Sequence, residues 1–153
     1  MNYSSSVRLL VAVGLLSQAS CSDSLTAPRT SENLPVSVQT RSPVAGEIVP
    51  TVRISGGMGY VSVSVTTTGT CATMVSAGVS RGFDKLAVVA YVGPNPAALC
   101  AAVIQPLVAD YHGTITAVAP GTYQVRVFEA FADGEPKLIG SATVSVAEAF
   151  GQL

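Results

Sequence analysis

From Leu34 onward, apolar and polar residues alternate in short runs that Gly and Pro interrupt. Val61, Val63 and Val65 alternate with Ser62, Ser64 and Thr66, which predicts a strand with one buried and one wet face. Val36 and Val38, confined by Pro35 and Pro43, predict a short edge strand, and Val49 to Ile54 a second short run. Leu86 to Val92 is apolar on both faces and reads as a central strand. Tyr123, Val125 and Val127 share one phase, as do Leu138, Ala142, Val144 and Val146. With Ala132-Asp133-Gly134-Glu135 between them, these two runs predict a C-terminal hairpin. Gly56-Gly57-Met58-Gly59 precedes a strand and not a helix N-terminus, so it reads as a hairpin turn and not an anion cradle. Ala97 to Ile104 has helical propensity, but Pro106 limits it to irregular structure or one helical turn feeding a strand. Seven or so short strands without long helices predict an all-β fold, an antiparallel sandwich with a closed barrel as the alternative.

The N-terminus follows a different rule. Met1 to Arg8 is polar with one positive charge, and an eight-residue apolar run, Leu9 to Leu16, leads into Ser17-Gln18-Ala19-Ser20-Cys21. A run this short predicts an export signal, because crossing a bilayer takes about 20 apolar residues. Ser22 to Asn33 is polar and aperiodic and reads as a solvated tether. The expected organisation is therefore a signal over 1–20, a tether over 21–33 and one domain over 34–153.

Ala19-Ser20-Cys21 resembles the bacterial lipobox, with Gln18 where that family usually has an aliphatic residue. The resemblance implies a diacylglyceryl group on the Cys21 sulfur and, with Ser22 where a retention signal is typically Asp, delivery to the outer membrane, facing periplasm or exterior. Two or three acyl chains would hold the protein far more firmly than one. An ordinary secretory signal cut near Ala19, leaving Cys21 a free thiol, is the alternative. In either exported compartment Cys71 and Cys100, which enclose 28 residues, are expected to form a disulfide.

Pro120-Gly121-Thr122-Tyr123-Gln124-Val125-Arg126-Val127 resembles the turn-then-strand signature of bacterial immunoglobulin-like and transthyretin-like surface domains. That resemblance implies an immunoglobulin-like sandwich, with a tight turn at Gly121 and the Tyr123 ring buried while its hydroxyl finds a backbone partner. It carries fold and not function.

Composition narrows the function classes. A 48% hydrophobic content is enough for a core and excludes disorder of the whole chain. Only 11% of residues are charged, and the seven basic side chains beyond Arg8 are scattered singly among nine acidic ones, so no nucleic-acid footprint exists. His112, in Asp110-Tyr111-His112-Gly113, reads either as a base oriented by Asp110 or as a surface histidine of a turn or loop. No Gly-x-Ser-x-Gly elbow or His-Glu-x-x-His pair occurs. Asp133 and Glu135 fall short of a calcium set, and two cysteines with one histidine make a poor zinc set. No cofactor and no metal are therefore expected. Phe128 and Phe131, around the C-terminal hairpin, are the candidate exposed patch for a carbohydrate. The reading is a non-enzymatic envelope lipoprotein that binds a protein or glycan, with a carbohydrate-binding module or a small envelope enzyme or inhibitor as alternatives.

Overall fold

A computed structural model describes residues 27–70, 73–95, 106–131 and 134–149. Among them run nine strands: β1 (Glu32–Leu34), β2 (Val36–Arg41), β3 (Thr51–Gly56), β4 (Val61–Gly69), β5 (Thr73–Arg81), β6 (Lys85–Pro94), β7 (Leu107–Ile115), β8 (Gly121–Phe131) and β9 (Lys137–Val146). They form a five-stranded sheet in the order β1-β5-β6-β8-β9 and a four-stranded sheet in the order β2-β7-β4-β3. Every pairing is antiparallel except β6 with β8.

The fold is the expected all-β sandwich, with two strands more than the seven or so expected. One addition is β5, where Val75, Ala77 and Val79 point inward between Met74, Ser76, Gly78 and Ser80. The other is β1. Glu32 and Asn33 belong by composition to the tether, yet they pair with Val79 and Gly78, because an open strand edge selects backbone and not side chains. Pro35 separates β1 from β2, where the chain passes from one sheet to the other.

The core lies between the sheets and is built largely from valines. Val61, Val63 and Val65 of β4 face Val88 and Val92 of β6 and Val125 and Val127 of β8 as one cluster. Branched side chains suit this place, since they lose little freedom on a pleated surface. As expected, β6 is covered on both faces: Leu86, Val88, Ala90 and Val92 join the main core, while Ala87 and Val89 form a second, smaller cluster with Phe128. Ala27 packs on that outer cluster, so the N-terminal segment crosses the outer face of the five-stranded sheet.

Two features set the strand phases. A bulge in the β8–β9 ladder pairs Val127 with Gly140 but Phe128 with Leu138, leaving Ile139 as the extra residue of β9. Leu138 therefore leaves the phase it shares in sequence with Ala142 and Val144, and Ile139 packs against the core in its place. The glycine cluster forms the expected β3–β4 turn, with the Gly57 amide donating to the Tyr60 carbonyl at 2.9 Å and Gly59 at φ +75°. At Gly56 the backbone of β3 lies so close to the Ser145 carbonyl that a Cβ there would overlap it. Ala147 bonds reciprocally with Gly57 and Gly59, closing this side of the sandwich.

Candidate functional site

The outer face of the four-stranded sheet is polar at nearly every outward position. Because side chains alternate along each strand, the polar phase of β4 (Ser62, Ser64, Thr66) is carried sideways by register. Ser64 lies opposite Arg53 of β3 and His112 of β7, and His112 lies opposite Ser37 of β2. The next row is Thr51, Thr66, Asp110 and Gln39. Together with the β2–β3 connection these rows bound a concavity of about 790 Å³.

Arg41 holds that connection over the sheet. Its Nε donates to Asp110 Oδ2 at 2.6 Å, and its Nη1 and Nη2 donate to Glu47 Oε2 and Oε1 at 2.9 and 2.5 Å. Glu47 Oε2 also accepts the Val44 amide at 2.9 Å, and Thr66 Oγ1 donates to Asp110 Oδ1 at 2.6 Å. Such paired, charge-assisted contacts are geometrically specific. The bonds from Arg41 and then from the Val44 amide lower the Glu47 pKa from 4.5 to about 2. Bonds to Glu47 and Asp110 raise the already high Arg41 pKa. Burial opposes charge on Asp110, but the bonds from Thr66 and Arg41 prevail and its pKa is lowered.

His112 sits in mid-strand on β7 and not in a turn or loop. The tight Asp110-Tyr111-His112-Gly113 spelling reflects two-residue alternation: Asp110 and His112 face outward while Tyr111 is buried. The His112 ring lies between Ser64 Oγ, 2.9 Å from Nδ1, and Thr114 Oγ1, 3.2 Å from Nε2. Asp110 is on the same face but bonds Arg41 and Thr66, so of the two readings of His112 the base oriented by Asp110 is not formed, and the ring is an exposed surface histidine.

Phe128 and Phe131 do not make an exposed pair. Phe128 is fully buried with Ala87 and Val89 beneath Ala27, and only Phe131 is half exposed. Composition places the N-terminal segment in solvent, whereas in the fold it covers this part of the sheet. Cys21, Cys71 and Cys100, as well as Asp133, lie outside the described residues. Glu135 lies within them, and among the described residues no group of three or more His, Cys, Asp or Glu side chains could hold a metal ion.

Sequence reasoning missed a second polar group, inside the sandwich. Glu129 (4% exposed) accepts from Thr67 Oγ1 at 2.8 Å and from the Tyr111 hydroxyl at 3.0 Å, tying β8 to β4 and β7 across the core. Burial raises the Glu129 pKa, and the two hydrogen bonds offset only part of that rise. Burial, and then the adjacent carboxylate, raise the Tyr111 pKa, which keeps the phenol a donor. Extending the inward phases Val61-Val63-Val65 and Tyr123-Val125-Val127 by one step reaches Thr67 and Glu129, so the signal was present in the alternation.

Comparison of the chain with protein-family models, curated proteins and solved structures gives no match.

Proposed function

We infer that this chain is a non-enzymatic binding module of the bacterial cell envelope, anchored through acylated Cys21, with the concave face of the β2-β7-β4-β3 sheet as its binding surface. The observation that carries this reading is the polar face itself. Four strands align rows of hydroxyl, amide, imidazole and guanidinium groups, and the Arg41 clasp fixes a wall beside them. A catalytic reading has less support, since Asp110 is engaged by Arg41 and Thr66 and not by His112.

The anchor is supported by where the chain leaves the domain. Ala27 rests on the outer face of the five-stranded sheet, opposite the groove, and lies six positions along the chain from Cys21. That length reaches about 20 Å when fully extended. Acylated Cys21 would therefore hold the five-stranded sheet toward the membrane and turn the groove away from it. The immunoglobulin-like or transthyretin-like affiliation is supported by the Tyr123 hydroxyl donating to the Ala119 carbonyl at 3.0 Å, as corner tyrosines do in such sandwiches. A Cys71–Cys100 disulfide is supported by the flanking register. Gly69 pairs with Leu107 and Thr73 with Pro94, so both cysteine-bearing connections start and finish at one end of the sandwich.

Two measurements test the proposal. Intact mass of the membrane-extracted chain is expected to give acylated Cys21 and no free thiol, and unmodified Cys21 refutes the anchor. A photo-crosslinking benzoylphenylalanine at Ser64 is expected to form adducts in intact cells where one at Ser141, on the opposite sheet, does not. Adducts absent at Ser64 refute the binding face.

A further inference from the structure

We propose that the outer face of the five-stranded sheet docks on the bilayer at its apolar end, with Met74, Tyr91 and Leu138 entering the boundary between headgroups and acyl chains. This rests on the anchor at Cys21 and adds the protein surface that meets the lipid.

The face has two unlike ends. Register puts Val89, Phe128 and Leu138 in one outward row, Tyr91 and Ala130 in the next, and Met74 beside Gly93 beyond them. Val89, Phe128 and Ala130 are buried, whereas Met74 is 51% exposed, Tyr91 46% and Leu138 36%. Met74 and Tyr91 are diagonal neighbours on adjacent antiparallel strands, within reach of each other. A Cβ added at Gly93 would meet nothing within 4 Å, so the space beside Met74 is open. In the other direction the next row carries Arg126 and Ser141, and the face turns polar there.

Single exposed apolar side chains are common on soluble surfaces, and what assigns these to lipid is their place beside the anchor. Ala27 packs on Ala87, Val89 and Phe128, and Ala27, Pro28 and Pro136 line a concavity of about 720 Å³ together with Val89 and Tyr91. The six positions from Ala27 to Cys21 reach about 20 Å at most, so acyl chains on that sulfur enter the bilayer close to this end of the face. On so short a leash the local concentration of the face at the surface is high, and a small apolar area suffices where it would not hold the protein from solution. A tyrosine suits the boundary, because its ring is apolar and its hydroxyl is wet. Arg29 and Lys137 stand at the same end, against Glu135, and long basic side chains lay their stems on apolar surface while the charge stays among headgroups. The four-stranded sheet has no counterpart on its outer face: nearly every outward strand position is polar, and the exposed Val44 and Ile48 stand on the β2–β3 connection.

The chain contains no tryptophan, so one introduced indole reports on its own surroundings. The acylated full chain carrying Tyr91→Trp, Met74→Trp or Tyr60→Trp is reconstituted in phosphatidylcholine vesicles whose acyl chains are brominated near the headgroup. Tyr60, 41% exposed, is the control, since it stands at the opposite end of the sandwich, beside the contacts of Gly57 with Ala147. Tyr91→Trp and Met74→Trp are expected to lose fluorescence to the bromine and shift their emission to the blue, and Tyr60→Trp to do neither. Adding Tyr91→Asp to Met74→Trp is expected to restore most of the lost fluorescence, with an unchanged melting temperature because the Tyr91 side chain faces outward and is half exposed. Three results overturn the inference: no more quenching at residues 74 and 91 than at 60, equal quenching at all three, or a blue shift that grows with protein concentration in lipid-free detergent, which marks a second copy on this face. Intact mass separates the two levels. With Cys21 acylated, absent quenching refutes the docking alone, whereas unmodified Cys21 removes the anchor and this inference with it.

Discussion

The buried Thr67–Glu129–Tyr111 group yields the sharpest stability prediction. Glu129 brings a carboxyl between two apolar sheets with two donors, at 2.8 and 3.0 Å, and no cation in ion-pair contact among the described residues. A hydrogen bond to a charged group contributes about 1.5–3 kcal/mol, and a buried polar group left without its partner costs about 1–3 kcal/mol. Thr67→Val keeps the shape and removes one donor, so above the folded pKa of Glu129, where the carboxyl is charged, it is expected to cost about 1–3 kcal/mol. Near pH 4 the carboxyl is protonated and neutral, and the same substitution should cost about 0.5–1.5 kcal/mol. The pH dependence has a definite sign. Because the folded pKa of Glu129 lies above its unfolded value of 4.5, the native state binds the proton more tightly. Its stabilising share is complete below 4.5 and is lost as pH rises from there through the folded pKa. Glu129→Gln should remove that fall and be at least as stable as the wild type above the folded pKa. Replacing all three polar groups together, as Thr67→Val, Tyr111→Phe and Glu129→Leu, should be near neutral, because no orphaned partner remains. Urea unfolding in steps from pH 4 upward, compared by midpoint at constant m, reads these differences. Equal cost of Thr67→Val across the whole series, or an identical pH slope for wild type and Glu129→Gln, would refute the reasoning.

Three further outcomes are expected. Phe128→Ala should destabilise by about 3–5 kcal/mol in thermal or urea unfolding, since it empties a fully buried site, and it should leave ligand binding at the opposite sheet unchanged. Gly56→Ala should lower the melting temperature well beyond a surface substitution, because the added methyl meets the Ser145 carbonyl and backbone cannot move aside cheaply. Glu47 should titrate near pH 2 by carboxyl NMR. Its folded pKa lies below 4.5, so its stabilising contribution is present above 4.5 and lost as pH falls through about 2. Arg41→Gln should return that titration toward 4.5.

Much of the fold was legible because alternation with period two is itself a statement about which face is buried. Val61-Val63-Val65 and Tyr123-Val125-Val127 point inward as read, Leu86 to Val92 is covered on both faces, and β2 is an edge strand. The misses share one cause: they depend on what a neighbouring strand does. Leu138 changes face because β9 carries one extra residue against β8, which no property of Leu138 announces. Phe128 looks exposable beside Arg126 until the N-terminal segment is seen to cross it. His112 looks like a turn residue beside a helpful carboxylate until register hands Asp110 to Arg41, a residue 69 positions away.

The chain alone therefore determined the class of fold, the strands with clean alternation and the absence of a strongly basic footprint, because these depend on local period and on composition. Sheet order, the parallel β6–β8 pairing and the assembly of the groove were decided only in three dimensions. Ser37, Arg53, Ser64 and His112 are ordinary outward polar residues in four separate segments. They become one row because hydrogen-bond register sets distant strands side by side, about 4.8 Å apart, and register is a property of pairs of strands and not of any one of them.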